Sequence, residues 1–523
     1  RQGAPASSFT QANPDSELGI LKRQLSLRTR HMPVRKLVER LPNLLPKLKP
    51  CWLMSPMSVA QYLDPKLPPF DVVVFDEASQ IPAWDAIGAI ARGAEAIVVG
   101  DSKQLPPTTF FATQDSDDSE NESEFDELES ILDESVAASL PTMSLRWHYR
   151  SRHESLIAFS NHHYYDNKLL TFPSSDLAKP GLGVSLVYLA QGRYDKGGSR
   201  TNQAEAEAVV AEVVKRLIDA GEGNLSLGVV TFSIAQQYLI EDLLDSERRK
   251  NPQIERFFGS GVEEPIFIKN LENVQGDERD TILFSVCYGP HGEGQVSMNF
   301  GPINRQGGER RLNVAITRAR REVVVFTSMR PDQIDLSRTR SVGAAHLRSF
   351  LDYAERGPRA ILEATSPGQA TESPFEEEVL RALTSRGYLV DVQVGCSGYR
   401  IDLAVKDPER PGRYLLGIEC DGATYHSAKS ARDRDRLREQ VLNGLGWRIH
   451  RVWSTDWLQS RDGAIARIER AIADAAAKRE VPVETKSESR SETRLEANAV
   501  GAARTQSPYA SKSSATQSVK PGA

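Results

Sequence analysis

DVVVFDEASQ (71–80) and AEAIVVGDSKQLPP (94–107) decide the fold. Each opens with apolar, mostly β-branched or small residues and closes on acid, Asp76-Glu77 in the first and Asp101 in the second. Between them IPAWDAIGAIARG (81–93) is long enough for a helix. Strand–helix–strand with apolar strands predicts a parallel sheet covered on both faces. An acidic pair at the C-terminal end of such a strand stands where α/β sheets bind ligands. There Asp76 can hold Mg²⁺ through water and Glu77 can orient an attacking water; the bland reading is an acid that caps the next helix.

Upstream, ELGILKRQLSLRTR (17–30) and VRKLVERLPNLLPKL (34–48) carry apolar residues at three- and four-residue spacing and read as helices, and CWLMSPMSVAQYL (51–63) ends in a short one. Downstream, a helix follows LRWHYRS (145–151). The strands GVSLVYL (183–189), LSLGVVTFS (225–233), DTILFSVCYG (280–289) and EVVVFTS (322–328) then alternate with helices at 202–220 and around 310–321, a second βα array. The expected organisation is a partial α/β domain at 1–139, a complete one at 140–355, a Gly-, Pro-, Ser- and Thr-rich linker at 356–373, a compact α/β unit at 374–476 and a disordered tail at 477–523.

Composition sets bounds. A length of 523 residues predicts roughly three to four domains at about 150 residues each. No stretch approaches the ~20 apolar residues of a membrane span, and the polar N-terminus lacks the apolar core of a secretory signal. The four cysteines (Cys51, Cys287, Cys396, Cys420) are scattered without a CxxC pair, which argues against structural zinc or a disulfide framework and for a reducing, cytoplasmic location. Net charge is −6 and the pI about 6.0, so the global balance does not point to a basic nucleic-acid coat. Much of the acid sits in DSDDSENESEFDELESILDE (115–134), read as a solvated, disordered insertion at 113–134 rather than a nucleic-acid mimic.

Gln104, on the loop after the second strand, is placed to sense a γ-phosphate, and the two prolines behind it stiffen that loop. Arg150 and Arg318 are candidate cations of a hydrolysis site, where a positioned arginine contributes roughly 10³–10⁵ in rate. Gln275, Gly276 and Glu278 in NVQGDERD (273–280) suit polar contacts with phosphate, ribose or a nucleic-acid backbone.

FDEASQ, GDSKQLPP, LRWHYRS, NVQGDERD and LNVAITRAR stand in the order and spacing of motifs II to VI of superfamily 1 helicases, and residues 50–330 resemble the branch that includes the nonsense-mediated-decay RNA helicase. The resemblance implies two RecA-like domains, ATP as cofactor, Asp76 and Glu77 as the Mg²⁺ and water pair, and Gln104 as the coupling residue. It implies Arg150 and Arg318 as arginine fingers, Glu278 beside the nucleotide, and 5′ to 3′ translocation. One departure stands out: GxxxxGK[ST] does not occur, and DKGGS (195–199) lacks its spacing. That loop supplies most β/γ-phosphate contacts. Relatives carry it upstream, so the N-terminal helicase half is expected to be missing or supplied by another chain, and these residues alone are expected to bind ATP poorly and hydrolyse little.

In the C-terminal unit, Ser373 and Glu376 form a candidate capping box on an amphipathic helix. GYRIDLAV (398–405) and YLLGIECDG (414–422) read as paired strands that carry Asp402, Glu419 and Asp421. Glu419 and Asp421 are two apart and share a face; with Asp402 at the same edge, three carboxylates converge. Hard oxygen donors suit Mg²⁺ or Mn²⁺, whereas unpaired acids inside a purely structural hairpin are costly. The stretch from RIDLAV through GIECDGATYH to WRIHRVWSTDW resembles PD-(D/E)XK nucleases of the very-short-patch-repair-endonuclease-like kind. That resemblance implies Asp402, Glu419 and Glu376 as metal ligands. Asp421 replaces the expected lysine, which leaves the base open among His426, Lys429, Arg434 and Gln440, with a plain surface-loop histidine as the rival reading of His426. RDRDRLREQ (432–440) reads as a solvated charged face or a phosphate contact, and Trp447, Trp453 and Trp457 as core.

The expectation is an ATP-dependent helicase coupled to a metal-dependent nuclease with Mg²⁺ or Mn²⁺ at both sites, acting on nucleic acid, DNA rather than RNA, in DNA processing or defence. Two alternatives are an RNA helicase or remodeller with a non-cutting nucleic-acid-binding domain, and a non-catalytic scaffold.

Overall fold

The computed structural model describes residues 13–107, 130–176, 181–221, 223–259, 261–357, 373–395, 399–421 and 438–477, with 179, 360 and 371 as single residues. The candidate bases His426, Lys429 and Arg434, residues 113–129 of the acidic run, and nearly all of the linker and tail lie outside them.

Helices α1 (Glu17–Ser26), α2 (Val34–Arg40), α3 (Leu44–Leu48) and α4 (Pro56–Tyr62) lead into strand β1 (Phe70–Phe75). Helix α5 (Ala83–Ile90) then crosses to β2 (Gly93–Val98), which pairs with β1 in parallel, Val74 opposite Ile97. One face is covered: Phe75, Ala78, Ala86, Ala89 and Ile131 form a core there. The other is not, with Val74 59% and Ile97 51% exposed and Val72 and Val99 open beside them. The expectation of cover on both faces is therefore corrected. Among the described residues neither strand has a second neighbour, so the apolar run outnumbers the surface available to bury it.

The acidic run is corrected at its end. Ser130 caps α6 (Ile131–Ala137) in a full capping box: its hydroxyl accepts from Asp133 N–H at 3.1 Å, and Asp133 accepts from Ser130 N–H at 3.2 Å. Acids in a first helical turn face unsatisfied N–H groups and the positive end of the helix, which orders residues that composition alone assigns to disorder.

The second sheet is parallel throughout, in the order β3 (Gly183–Tyr188), β9 (Ala319–Thr327), β6 (Arg279–Ser285), β4 (Leu227–Thr231), β5 (Phe267–Asn270). Helices α8 (Gln203–Ala220) and α9 (Ile234–Lys250) pack on one face through Val209, Val213, Ile240 and Leu244. Helices α7 (Ser155–Tyr164), α10 (Gly308–Ile316) and α11 (Val342–Arg356) cover the other through Phe159, Leu312 and Phe350. Sequence patterning missed α9, α11, β5 and the small hairpin β7 (Pro290–His291) with β8 (Gln295–Val296). The helix expected to reach 321 stops at Ile316, because Ala319 already pairs with Arg279 in the sheet.

Glu205, in the first turn of α8, is fully buried. It accepts from Cys287 N–H at 2.7 Å, Ser328 N–H at 2.9 Å and the Ser285 hydroxyl at 3.0 Å. Those residues stand at or just past the ends of β6 and β9, so one carboxylate satisfies N–H groups that the sheet leaves over.

The third sheet runs β10 (Val390–Val394), β11 (Ile401–Lys406), β12 (Tyr414–Asp421), β13 (Ile449–Trp453), antiparallel except for β12 with β13. Helices α12 (Pro374–Thr384), α13 (Ser454–Gln459) and α14 (Arg461–Ala477) contribute Val379, Trp457 and Ile468 to its core. The Ser373 cap on α12 is present, its hydroxyl accepting from Glu376 N–H at 3.2 Å. Trp447 and Trp457 are core residues. Residues 1–476 make one compact unit, with mixed α/β architecture, and no described helix is long and apolar enough to cross a membrane.

Burial pushes the Glu205 carboxyl up from 4.5 to about 7. The folded state thus binds the proton more tightly than the unfolded state, so its contribution to stability is full below pH 4.5 and is lost as pH rises towards and through 7. Urea denaturation at pH 5 and 8 should show Glu205→Ala less stable at both by at least about 2 kcal/mol, from orphaned N–H groups, with a shallower fall between them than wild type. An unchanged pH difference would contradict this.

Candidate nucleotide cleft and candidate nuclease site

Glu77 follows β1 in a left-handed conformation (φ 52°), which a non-glycine residue adopts at a cost of roughly 1–2 kcal/mol. The loop is pinned regardless: Ala78 N–H donates to Val99 O at 2.9 Å. Behind it Gly100 leaves room, since a Cβ there would come within 3.0 Å of Ser79 N and 3.2 Å of Ala78 N. The turn presents Asp76 and Glu77 to solvent at the strand end, Asp76 accepting from Glu77 N–H at 3.0 Å.

A hydrogen-bond joint connects this sheet to the second. Tyr165 donates its hydroxyl proton to Asp101 at 2.7 Å and accepts from the Asn313 amide at 3.1 Å. Asn313 also donates to Lys103 O at 2.9 Å, and Gln104 donates to Asp101 at 3.1 Å. Leu105 is buried in the core of the second sheet. Tyr165 and Asn313 escaped sequence reasoning as site residues: Asn313 sits inside LNVAITRAR, and nothing marks Tyr165 until chain segments 64 residues apart are seen to meet.

At this joint Arg318 is buried, donating to Val314 O at 2.8 Å and to the Thr317 hydroxyl at 3.2 Å. Burial and the neighbouring Arg150 hold it below its ordinary value, while Glu77, Tyr165 and Glu278 act the other way. Arg150 pairs with Glu278 at 2.9 Å. Glu278 also faces Arg320 at 3.6 Å, and Arg320 pairs with Glu264 and Asp280 at 2.6 and 2.7 Å. His148, between Trp147 and Arg150, is lowered to about 4 by burial and by Arg150. The structure thus brings Glu77, Arg150, Glu278 and Arg318 into one electrostatic neighbourhood, with Gln104 attached through Asp101 and Tyr165. Gly276 takes the turn between Gln275 and Glu278 at φ 86°. Two buried side-chain atoms here, Gln104 Oε1 and Gln275 Nε2, have no hydrogen-bond partner among the described residues. Polar atoms of this kind suit a polar ligand such as a nucleotide.

On the third sheet Asp402, Glu419 and Asp421 share one end with Glu376. Asp402 accepts from Cys420 N–H at 2.8 Å, and burial, followed by repulsion from Glu376, Glu419 and Asp421, raises it to about 7. Arg451, opposite Glu419 on β13, reaches Glu419 at 3.1 Å and Asp421 at 3.2 Å. Sequence reasoning missed this cation, which only strand pairing reveals. The Tyr399 hydroxyl donates to the other Glu419 oxygen. The expected convergence of three carboxylates is corrected in one respect: among the described residues no group of three or more His, Cys, Asp or Glu side chains is arranged to hold a metal ion, and Arg451 pairs with two of the acids. The donor chemistry still fits a divalent cation, since half-buried carboxylates that repel one another, Asp402 raised to about 7 among them, are the groups a cation relieves. Gln440 is exposed.

Residues 57–111 and 121–330 match two family models, each described as an AAA domain, and residues 375–472 match the model REase_MTES_1575. Over 461 residues the chain is 31% identical to the uncharacterized ATP-dependent helicase MG140 homolog of Mycoplasma pneumoniae, an alignment that takes in 82% of this chain and 39% of that protein. The Mycoplasma genitalium counterpart is 30% identical over 454 residues, again 82% and 39%. The 5'-3' DNA helicase ZGRF1 of Mus musculus is 27% identical over 267 residues, covering 50% of this chain and 13% of that protein. Over most of its length the chain is thus similar to ATP-dependent helicases, and its residues 375–472 are similar to a restriction-endonuclease-like family. It spans 39% of the length of the two mycoplasma helicases.

Tyr165→Phe removes both hydrogen bonds of the Tyr165 hydroxyl while keeping the ring, and leaves the Asn313 amide on Lys103 O. At about 1 kcal/mol net each, amide exchange across residues 101–104 should accelerate roughly 5–30-fold with little change in global stability. Unaltered exchange in that loop would show that the joint carries no stability.

Proposed function

We propose that this chain is the working part of an ATP-dependent helicase or translocase that feeds nucleic acid to a metal-dependent nuclease domain. The observation that carries the reading is that Glu77, at the end of one sheet, acts electrostatically on Arg318 of another, which also feels Arg150 and its partner Glu278. Hydrolysis of a nucleoside triphosphate needs a water-orienting carboxylate and cations aimed at the equatorial oxygens, held on two bodies that can move apart. In this reading the two sheets are RecA-like lobes and Asp76 holds Mg²⁺, which supplies charge neutralisation of the phosphates. Glu77 orients the attacking water, and Arg150 and Arg318 stabilise the charge that develops. Gln104 reports nucleotide state to the opposite lobe through Asp101 and Tyr165.

The open apolar face of β1 and β2 supports a further proposal. We place there additional strands of the same lobe, among them the phosphate-binding loop that residues 1–523 lack. An apolar parallel pair is stable as a buried layer, not as a solvent-exposed ribbon.

In the restriction-endonuclease-like domain, Asp402, Glu419, Glu376 and Asp421 are the residues that would hold Mg²⁺ or Mn²⁺, which supplies activation of water for phosphodiester cleavage. DNA is the proposed substrate, by likeness to the DNA helicase named above.

Two assays test the reading. In a polypeptide that joins these residues to a phosphate-binding loop, nucleic-acid-stimulated ATP turnover should fall roughly 10³-fold or more in Arg318→Ala and in Glu77→Gln. No turnover in the unsubstituted protein would sink the motor assignment. Separately, this chain should nick labelled DNA with Mg²⁺ or Mn²⁺, and Asp402→Asn should abolish it. Absent cleavage would leave the third sheet a non-cutting nucleic-acid-binding module, and metal-independent cleavage would refute the metal-dependent assignment.

A further inference from the structure

We propose that Tyr399 is a positioning residue for Glu419, and that the helicase segment Trp147–Asp176 completes the nuclease site by clamping Tyr399. The inference rests on the nuclease reading of Asp402 and Glu419. It adds a residue outside the acidic motif and assigns part of the site to the motor.

Glu419 is held at both oxygens. Arg451 takes Oε2, and the buried Tyr399 hydroxyl donates to Oε1. A carboxylate fixed in this way presents its remaining lone pairs in one direction, the condition a metal ligand must meet. Tyr399 lies two residues ahead of β11 and is held in turn by the motor. Phe172 packs against its ring at 5.4 Å between centroids, and Trp147 stacks on Phe172 at 5.3 Å. The Arg438 guanidinium lies 4.8 Å over Tyr399 and 5.8 Å from Trp147, spanning both domains.

The clamp is strapped down along its length. Trp447 donates its indole N–H to Pro173 O at 2.8 Å, Ser175 donates its hydroxyl to Leu445 O at 2.9 Å, and Tyr414 N–H donates to Ser175 O at 2.9 Å. Phe172 shares one core with Tyr399, Ile401, Leu442 and Trp447. Trp147 stands three residues before Arg150, and His148 N–H donates to Leu170 O at 3.0 Å. The stretch of chain that carries a candidate arginine finger therefore also carries the ring that stacks on Phe172, which packs against Tyr399. For packing alone phenylalanine would serve at 399; the hydroxyl matters because it reaches Glu419.

The test compares wild type, Tyr399→Phe, Trp147→Ala and Trp147→Phe in the full chain. Two quantities are read: Mn²⁺ binding by electron paramagnetic resonance, counted as the part lost in Asp402→Asn, and Mn²⁺-dependent cleavage of fluorescent single-stranded DNA. Tyr399→Phe should keep the melting temperature and the KM for DNA, while kcat falls and the Mn²⁺ dissociation constant rises, each roughly 10–100-fold. Trp147→Ala should shift both in the same direction, and Trp147→Phe should restore them; this conservative variant also decides the matter if the alanine variant does not fold. An active wild type matched by Tyr399→Phe in kcat and Mn²⁺ affinity overturns the positioning role and leaves the nuclease reading standing. Effects at Tyr399 with none at Trp147 overturn the clamp. A wild type that neither binds Mn²⁺ at Asp402 nor cuts DNA removes the nuclease reading, and this inference with it.

Discussion

A guanidinium cannot shed its proton when buried, so Arg318 must be met by compensating groups, and much of the cleft follows from that requirement. Two of its N–H groups are satisfied by α10 and the residue after it, at Val314 O and the Thr317 hydroxyl. Its remaining field is opposed by Arg150 and balanced by Glu77 and Glu278. Glu278 also holds Arg150 and faces Arg320, which leans on Glu264 and Asp280. Two cations are thus kept close together by carboxylates before any ligand arrives. An anionic triphosphate would relieve their repulsion at no cost in reorganisation, the property that makes an electrostatic site effective.

The elements legible in the sequence are those whose signal is local. Apolar runs that end in acid marked β1, β2 and the acids of β11 and β12, and ordered short motifs marked both halves of the cleft. Helix α9 was not legible, because IAQQYLIEDLLDSERRK offers a narrow apolar row amid charge and is helical through its packing on β4 and α8. The end of the acidic run was misjudged for the opposite reason: composition says disorder, whereas Ser130 and Asp133 form a cap whose energy depends on position, not on content.

Side chains that meet over long separations in sequence left no trace in one dimension. Tyr165 meets Asp101 across 64 residues, and Arg451 meets Glu419 across 32. In each case the residue type is ordinary and only the pairing is informative. The open face of β1 and β2 belongs to the same class. Val74 and Ile97 read as buried in the sequence, whereas in the structure they are more than half exposed.

The joints between the domains differ in kind, and that difference constrains how force would pass through the molecule. The first two sheets meet through a polar joint of Tyr165, Asp101 and Asn313, with Leu105 as its main apolar contact. Hydrogen bonds of this sort exchange readily for water, so the joint can open and close at a net cost of about 1 kcal/mol per bond. The segment ahead of the second sheet shares an aromatic core with the third, of Phe172, Tyr399 and Trp447, locked by hydrogen bonds at Pro173 and Ser175. Separating them would expose large apolar rings and strand several buried polar groups together, a far steeper penalty. In the proposed cycle, nucleotide-dependent motion therefore occurs between the first sheet and the other two, and the nuclease domain travels with the second lobe as a rigid body instead of trailing on a tether. Nucleic acid held by that lobe would keep a constant register with Asp402 and Glu419 through each step.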